Sequence, residues 1–171
     1  MPGCFHKTDR EGHPIYLDRM GMVDVKGLAT HATTETVMDY HVRNNEFLFN
    51  VLMPLCQKRW EAQPERHTVI FDCDGMGFHQ FYMPGLMILK SLSEHDAAYY
   101  PERMHRLFIV NSPTIFLRAW SIIKRWLDKR MLEKVFILGK DYSQLSRYIA
   151  PENLPVAFGG TCTCSHMKGG C

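Results

Sequence analysis

No stretch of the chain approaches the roughly 20 apolar residues that a membrane-spanning helix needs. The longest apolar runs, such as residues 135–138, are strand-sized. The first residues, Met1-Pro2-Gly3-Cys4-Phe5-His6-Lys7, lack the apolar core of a secretory signal, and Pro2 stands where myristoylation needs glycine. Asn111-Ser112 runs into Pro113, so no Asn-x-Ser/Thr acceptor is present. Lys plus Arg number 20 and Asp plus Glu 18, a net charge of +2. That is too little to argue for nucleic acid as a partner. Together these absences lead to the expectation of a soluble, cytoplasmic protein.

Several chemistries are missing as well. Gly75-Met76-Gly77 lacks the third glycine of a dinucleotide-binding turn, and Gly139-Lys140-Asp141 lacks the upstream glycine of a P-loop. There is no G-x-S-x-G elbow for a hydrolase nucleophile. None of the nine histidines forms HExxH. His95-Asp96 reads as a polar helix end and His67 as a structural strand residue. Of the six cysteines, Cys56 and Cys73 lie in apolar surroundings and read as buried thiols. Cys162, Cys164 and Cys171 are spaced CxC-x6-C, which is not a standard zinc pattern. No metal and no cofactor is expected.

What remains is ordinary globular material. With 171 residues, 46% hydrophobic and 22% charged, the chain is long enough for one cored domain. Strand-like runs at 15–17, 68–72, 107–111 and 134–139 alternate with helical patterns at 33–59, 79–95, 113–128 and 142–149. Thr33 or Thr34 caps the first of these helices, and Pro54 should kink or divide it. Ser112-Pro113 reads as a helix start, with serine as cap. Residues 156–158 read as a last extended piece. The alternation predicts an α/β fold with a mainly parallel sheet, and the apolar inner strands predict a sheet covered on both faces.

Three features stand above this background. In 113–130, Phe116, Ala119, Trp120, Ile123, Trp126 and Leu127 form an apolar stripe, and Arg118, Lys124, Arg125, Lys129 and Arg130 form the other face. Residues 113–134 hold six basic and two acidic residues, a net of +4, so the remainder carries −2. Composition leaves open whether this is a surface helix packed on the sheet or a basic amphipathic helix meeting an anionic membrane. The other two features are Tyr99-Tyr100-Pro101-Glu102-Arg103-Met104 and Glu133-Lys134-Val135-Phe136-Ile137-Leu138-Gly139. In a right-handed parallel crossover, Glu102 and Lys134 fall at the same N-terminal edge of the sheet. There they form a surface salt bridge, or else a site for a ligand with hydroxyls and a phosphate. Spacing alone favours the salt bridge, since open α/β sheets usually bind ligands at the other edge.

At these residues the sequence resembles a known family. YYPERMHRLFIVNSP, KVFILG and IAPENLPVAFGG, with FHKTDREGHPIYLDRMG and VIFDCDGMG upstream, resemble the CRAL-TRIO lipid-binding domain in order and spacing. The likeness runs from about His6 to Gly160, so a lobe over 1–160 and a Gly/Cys-rich tail over 161–171 are expected. GGTCTC and the closing GGC are similar to the segment just after the domain in plant-type members.

The resemblance implies a sheet that floors an apolar lipid pocket, closed by an amphipathic gate helix at 113–128. It implies a phospholipid ligand, most simply phosphatidylinositol, with Glu102 and Lys134 at the headgroup, Arg103 beside them, and the stripe from Phe116 to Leu127 facing the acyl chains. The function implied is transfer of the lipid between membranes or its presentation to a lipid kinase. This is no enzyme but a monomer in transient contact with Golgi, endosomal or other membranes. The alternative is a non-transferring interaction module or an inactive fragment. The resemblance also implies a helical region before the lobe that contributes a basic residue to the phosphate site, and a lobe without that region is expected. Members that also carry phosphatidylcholine place small hydroxyl side chains where this chain has His67 and Val69, so that second ligand is not expected.

Overall fold

In a computed structural model that describes residues 2–61 and 63–165, five strands form one sheet in the order β1-β2-β3-β4-β5. The strands are β1 (Gly3–Thr8), β2 (Pro14–Asp18), β3 (His67–Asp72), β4 (Met104–Val110) and β5 (Val135–Gly139). Strands β2 to β5 are parallel, with Leu17 opposite Ile70, Val69 opposite Leu107 and Phe108 opposite Phe136. Parallel neighbours need crossovers. They are supplied by α1 (Val25–His31), α2 (Thr34–Phe47) and α3 (Met53–Arg59), by α4 (Met83–Tyr99), and by α5 (Thr114–Ile123) with α6 (Lys129–Glu133). The short α7 (Leu145–Tyr148) follows β5. The parallel α/β expectation therefore holds. The sequence reading missed β1, which pairs antiparallel with β2.

Strand alternation sorts the apolar residues into two layers. Ile15, Leu17, Ile70, Phe108 and Val110 face one side, packed with Leu145, Ile149, Leu154 and Phe158. Val69, Leu107 and Ile109 face the other side, where Phe116 of α5 is buried against them and Trp120 packs alongside. Helices α2 and α4 share a separate cluster of Val37, Ile88 and Leu92. Helix α4 meets α1 at Gly85, where an added Cβ would lie 2.0 Å from a Val25 methyl carbon.

Helix boundaries follow local chemistry. Thr33 caps α2, its hydroxyl accepting from the Thr36 N–H at 3.1 Å. Pro54 lies in the first turn of α3, just after a π-helical turn at Leu48–Leu52. A proline lacks the N–H that a continuous helix needs, so the expected division occurs there. Three expectations are corrected. Pro113, not Ser112, occupies the cap position of α5, without a side-chain cap bond. Helix α5 ends at Ile123 rather than near Asp128, because the Asp128 carboxylate accepts from Met131 N–H at 2.8 Å and starts α6 instead. Residues 156–158 form a 3₁₀ turn, not an extended piece.

Asp18 closes β2 and is 5% exposed. Among the described residues its Oδ1 has no hydrogen-bond partner, and burial pushes its carboxyl up to about 6. The folded-state value lies above the unfolded one, so the charged form opposes folding. That penalty is absent near pH 4, grows as pH rises, and is complete above about pH 6. Asp18→Asn is therefore expected to stabilise the protein by about 1–2 kcal/mol at pH 7.5 and by little at pH 4, read as the shift in urea midpoint.

Candidate functional site

The start of the parallel strands carries the densest group of charged residues predicted from sequence. Glu102 sits in the turn from α4 to β4, at φ +58°. Lys134 caps the C-terminus of α6, and its carbonyl accepts from Leu107 N–H at 2.9 Å. These turns bring the Lys134 ammonium to 2.6 Å from Glu102 Oε2, where it donates a hydrogen bond. Arg130 of α6 approaches Glu102 Oε1 at 3.7 Å. The hydrogen bond from Lys134 and its charge hold the Glu102 carboxyl below the usual carboxylate range, with Arg130 and Arg66 adding to the effect. Beside the pair lies a cleft of about 440 Å³ lined by Glu65, Arg66, Tyr99, Pro101, Glu102 and Arg103. An ionised carboxylate there accepts from hydroxyls, and the cations around it attract a phosphate.

Arg103 lines the same cleft but is held on its other side. Its guanidinium lies over the Phe49 ring at 5.1 Å and donates to the Glu65 carbonyl at 3.2 Å. Phe49 was not singled out from the sequence. It sits on the π-helical turn, stacks on Tyr100 at 5.6 Å and meets His67 edge-on at 5.9 Å. Pro54, five residues further on, was the one signal that this helix is irregular there.

The six stripe residues are only partly brought together. Phe116 and Ala119 are buried, and Trp120 lies half-buried 6.1 Å from Phe116. Ile123 ends α5, while Trp126 and Leu127 lie in the following turn, each half-buried. Helix α5 lies directly on the sheet face, so any chain entering between them must displace it. Its outward side exposes Leu117 and Ile122 beside Arg118 and Lys124.

His67 begins β3, and its Nδ1–H donates to the Arg103 carbonyl at 3.0 Å. Burial pulls its imidazole down to about 4 against that bond. The folded state therefore keeps His67 neutral while the unfolded chain takes up a proton below about pH 6.5. Stability is expected to be constant above that pH and to fall by roughly 1–2 kcal/mol between pH 6.5 and 4.5 through this residue. A His67→Gln variant should show a shallower fall in urea midpoint over the same range. A parallel fall would remove His67 as its cause.

The other sequence candidates are structural. His95 packs on Tyr99 at 4.6 Å. Asp96 instead binds His41 at 2.6 Å and Asn45 at 3.1 Å, clasping α4 to α2. Cys73 is buried, which pushes its thiol up to about 12; Cys56 is half-buried. Cys162 and Cys164 are buried near His6. Cys164 is disulfide-bonded, which removes its sulfur as a metal ligand. Cys171 lies outside the described residues. Among the described residues no helix is long and apolar enough to cross a membrane.

The family model described as CRAL/TRIO domain matches residues 1–160. The chain is 38% identical over 171 residues to the phosphatidylinositol/phosphatidylcholine transfer protein SFH11 of Arabidopsis thaliana, covering 99% of this chain and 45% of that protein. It is 34% identical over 174 residues to the Sec14 cytosolic factor of Schizosaccharomyces pombe, covering 99% of this chain and 58% of that protein. It thus spans about half the length of these relatives. The solved structure of Sfh5 superposes with a TM-score of 0.65 at 19% identity, over 85% of this chain and 49% of that one, a likeness of fold.

Proposed function

The chain belongs to the CRAL/TRIO domain family, and we propose that it binds one phosphatidylinositol molecule and carries or presents it between membranes. The observation that carries this reading is the 2.6 Å Lys134–Glu102 pair, flanked by Arg130, beside the cleft at the strand starts. The inositol hydroxyls replace the ammonium as donors to Glu102, and the lipid phosphate takes Lys134 and Arg130. The acyl chains then run under α5, against Val69, Leu107 and Ile109. Helix α5, displaced outward from the sheet to admit them, covers them with Phe116 and Trp120. When α5 lifts, the same side chains and its exposed Leu117 and Ile122 meet the bilayer, and Arg118, Lys124 and Arg125 meet anionic headgroups.

No bond is broken in this cycle, so the protein acts as a carrier rather than as an enzyme, in the cytosol and at membrane surfaces. Presentation to a lipid kinase is the natural extension. The names of several relatives include phosphatidylcholine. Here His67 and Val69 occupy the positions where the family resemblance calls for small hydroxyls, so phosphatidylinositol is the ligand proposed. The test is transfer of labelled phosphatidylinositol from donor to acceptor vesicles. The expected result is a rate above that without protein and above that for labelled phosphatidylcholine. A rate equal to the protein-free one would overturn the reading.

A further inference from the structure

The edge where the parallel strands begin holds more positive charge than phosphatidylinositol uses. A cation directly precedes each of three neighbouring strands: Arg66 before β3, Arg103 before β4 and Lys134 before β5. Neighbouring strands lie about 4.8 Å apart, so β3 and β5 begin roughly 10 Å apart with β4 between them. Glu102, next to Arg103, therefore stands between Arg66 on one side and Lys134 on the other. Lys134 and Arg130 approach Glu102 at 2.6 Å and 3.7 Å without lining the cleft, whereas Arg66 and Arg103 line it.

We propose that this cleft binds the headgroup of phosphatidylinositol 4-phosphate, with Lys134 and Arg130 on the phosphodiester and Arg66 and Arg103 on the 4-phosphate; the inference rests on the phosphatidylinositol reading above. Position 4 is the ring carbon opposite the phosphodiester, so a lipid held at Lys134 presents its 4-phosphate towards the β3 side of the edge. The ring hydroxyls between the two phosphates face Glu102. Charge points the same way. The four cations against Glu65 and Glu102 give the edge a net of +2. The single charge of a phosphodiester matches only half of that. A monoester phosphate adds about −1.5 to −2 at neutral pH and three strong acceptor oxygens.

The two guanidiniums are placed differently. Arg103 is held before any ligand arrives: its guanidinium lies 5.1 Å from the Phe49 ring centre, and one of its N–H groups donates to the Glu65 carbonyl at 3.2 Å. Phe49 is itself fixed by stacking on Tyr100 at 5.6 Å. A guanidinium carries five N–H donors, so Arg103 keeps donors for a phosphate, and a side chain ordered in advance loses less entropy on binding. Arg66 is exposed, and among the described residues it has no ion-pair partner. Its charge still reaches Glu102 across the cleft, helping to keep that carboxyl ionised. The cleft, at about 440 Å³, lies within the roughly 300–1,000 Å³ of small-ligand sites. Arg66 is thus the residue that separates a phosphorylated headgroup from a plain one.

The experiment incubates the full chain with phosphatidylcholine vesicles that contain equal phosphatidylinositol and phosphatidylinositol 4-phosphate, and reads the bound lipid by native mass spectrometry. Both inositol lipids share one vesicle, so attraction of α5 to an anionic surface acts on both alike. The expected result is one lipid per chain, with the 4-phosphate form at least as abundant as phosphatidylinositol. Arg66→Ala, its fold checked by circular dichroism, should lower the ratio of the 4-phosphate form to phosphatidylinositol by roughly tenfold, the scale of one charge-assisted hydrogen bond. Arg66→Lys, which keeps the charge, should recover most of that ratio. Loading of phosphatidylinositol alone, or a ratio that Arg66→Ala leaves unchanged, would overturn this inference and leave the phosphatidylinositol reading standing. Loading of neither inositol lipid would overturn both, and calorimetric uptake of soluble inositol 1,4-bisphosphate in that case would assign the cleft to a soluble ligand instead.

Discussion

Replacing Glu102 and Lys134 together by alanine is expected to slow phosphatidylinositol transfer by roughly tenfold or more, the scale of losing charge-assisted hydrogen bonds to a ligand. The melting temperature should move by no more than a few degrees. The two residues meet at the protein surface, Glu102 with a side chain 46% exposed, and exposed ion pairs contribute little to folding. Single variants should be informative in different ways. Glu102→Ala removes the acceptor for the inositol hydroxyls but leaves Lys134 and Arg130 for the phosphate. It should therefore reduce discrimination between phosphatidylinositol and other phospholipids more than it reduces binding. Lys134→Ala leaves Arg130 alone beside the phosphate and should weaken binding of every phospholipid. Unchanged transfer by the double variant would return the pair to a surface salt bridge.

The largest effect on stability is expected from Phe108→Ala, a loss of about 3–5 kcal/mol. Phe108 is 0% exposed in the middle of β4. Its ring lies 5.4 Å from Phe136 and 5.2 Å from Tyr148, within the layer built by Ile15, Leu17, Ile70 and Val110. Truncation removes the aromatic contacts and leaves a cavity between the sheet and α7 that backbone strands cannot close. For a chain of this size the melting temperature should fall by roughly 10 °C. The consequence reaches function, because β4 begins just after Glu102 and carries Leu107 and Ile109 on the α5 face. A loss below about 1 kcal/mol, from urea unfolding, would mean that this layer repacks freely.

How far the sequence foretold these elements depended on what each one uses for stability. Strands β3 and β4 are apolar runs buried on both faces, and β5, although an edge strand and only half-buried, is equally apolar, so composition alone located them. Strand β1 has no such run. Cys4, Phe5, His6 and Lys7 alternate weakly, and β1 exists because β2 offers it an antiparallel partner, information that is not local. Residues 156–158 look β-prone, but Pro155 and Gly159, the latter at φ +81°, bracket them into a turn. The stripe on α5 was legible, but its end was not, because Asp128 serves equally well in a last turn or as the next helix cap.

At the site, crossover handedness placed Glu102 and Lys134 on one edge before any coordinates, and their 2.6 Å contact agrees with that geometry. The headgroup role proposed for the pair rests on the resemblance. Phe49 was hidden, because a π-helical turn shifts which face a helical residue presents.

The proposed uptake of phosphatidylinositol by this lobe runs through Glu102 and Lys134. Native mass spectrometry of the purified chain, after incubation with vesicles containing equal phosphatidylinositol and phosphatidylcholine, tests it most directly. One bound lipid per chain is expected, predominantly phosphatidylinositol, with markedly less of it on the Glu102→Ala/Lys134→Ala variant. Equal loading of wild type and variant, a predominance of phosphatidylcholine, or no bound lipid at all would contradict the claim.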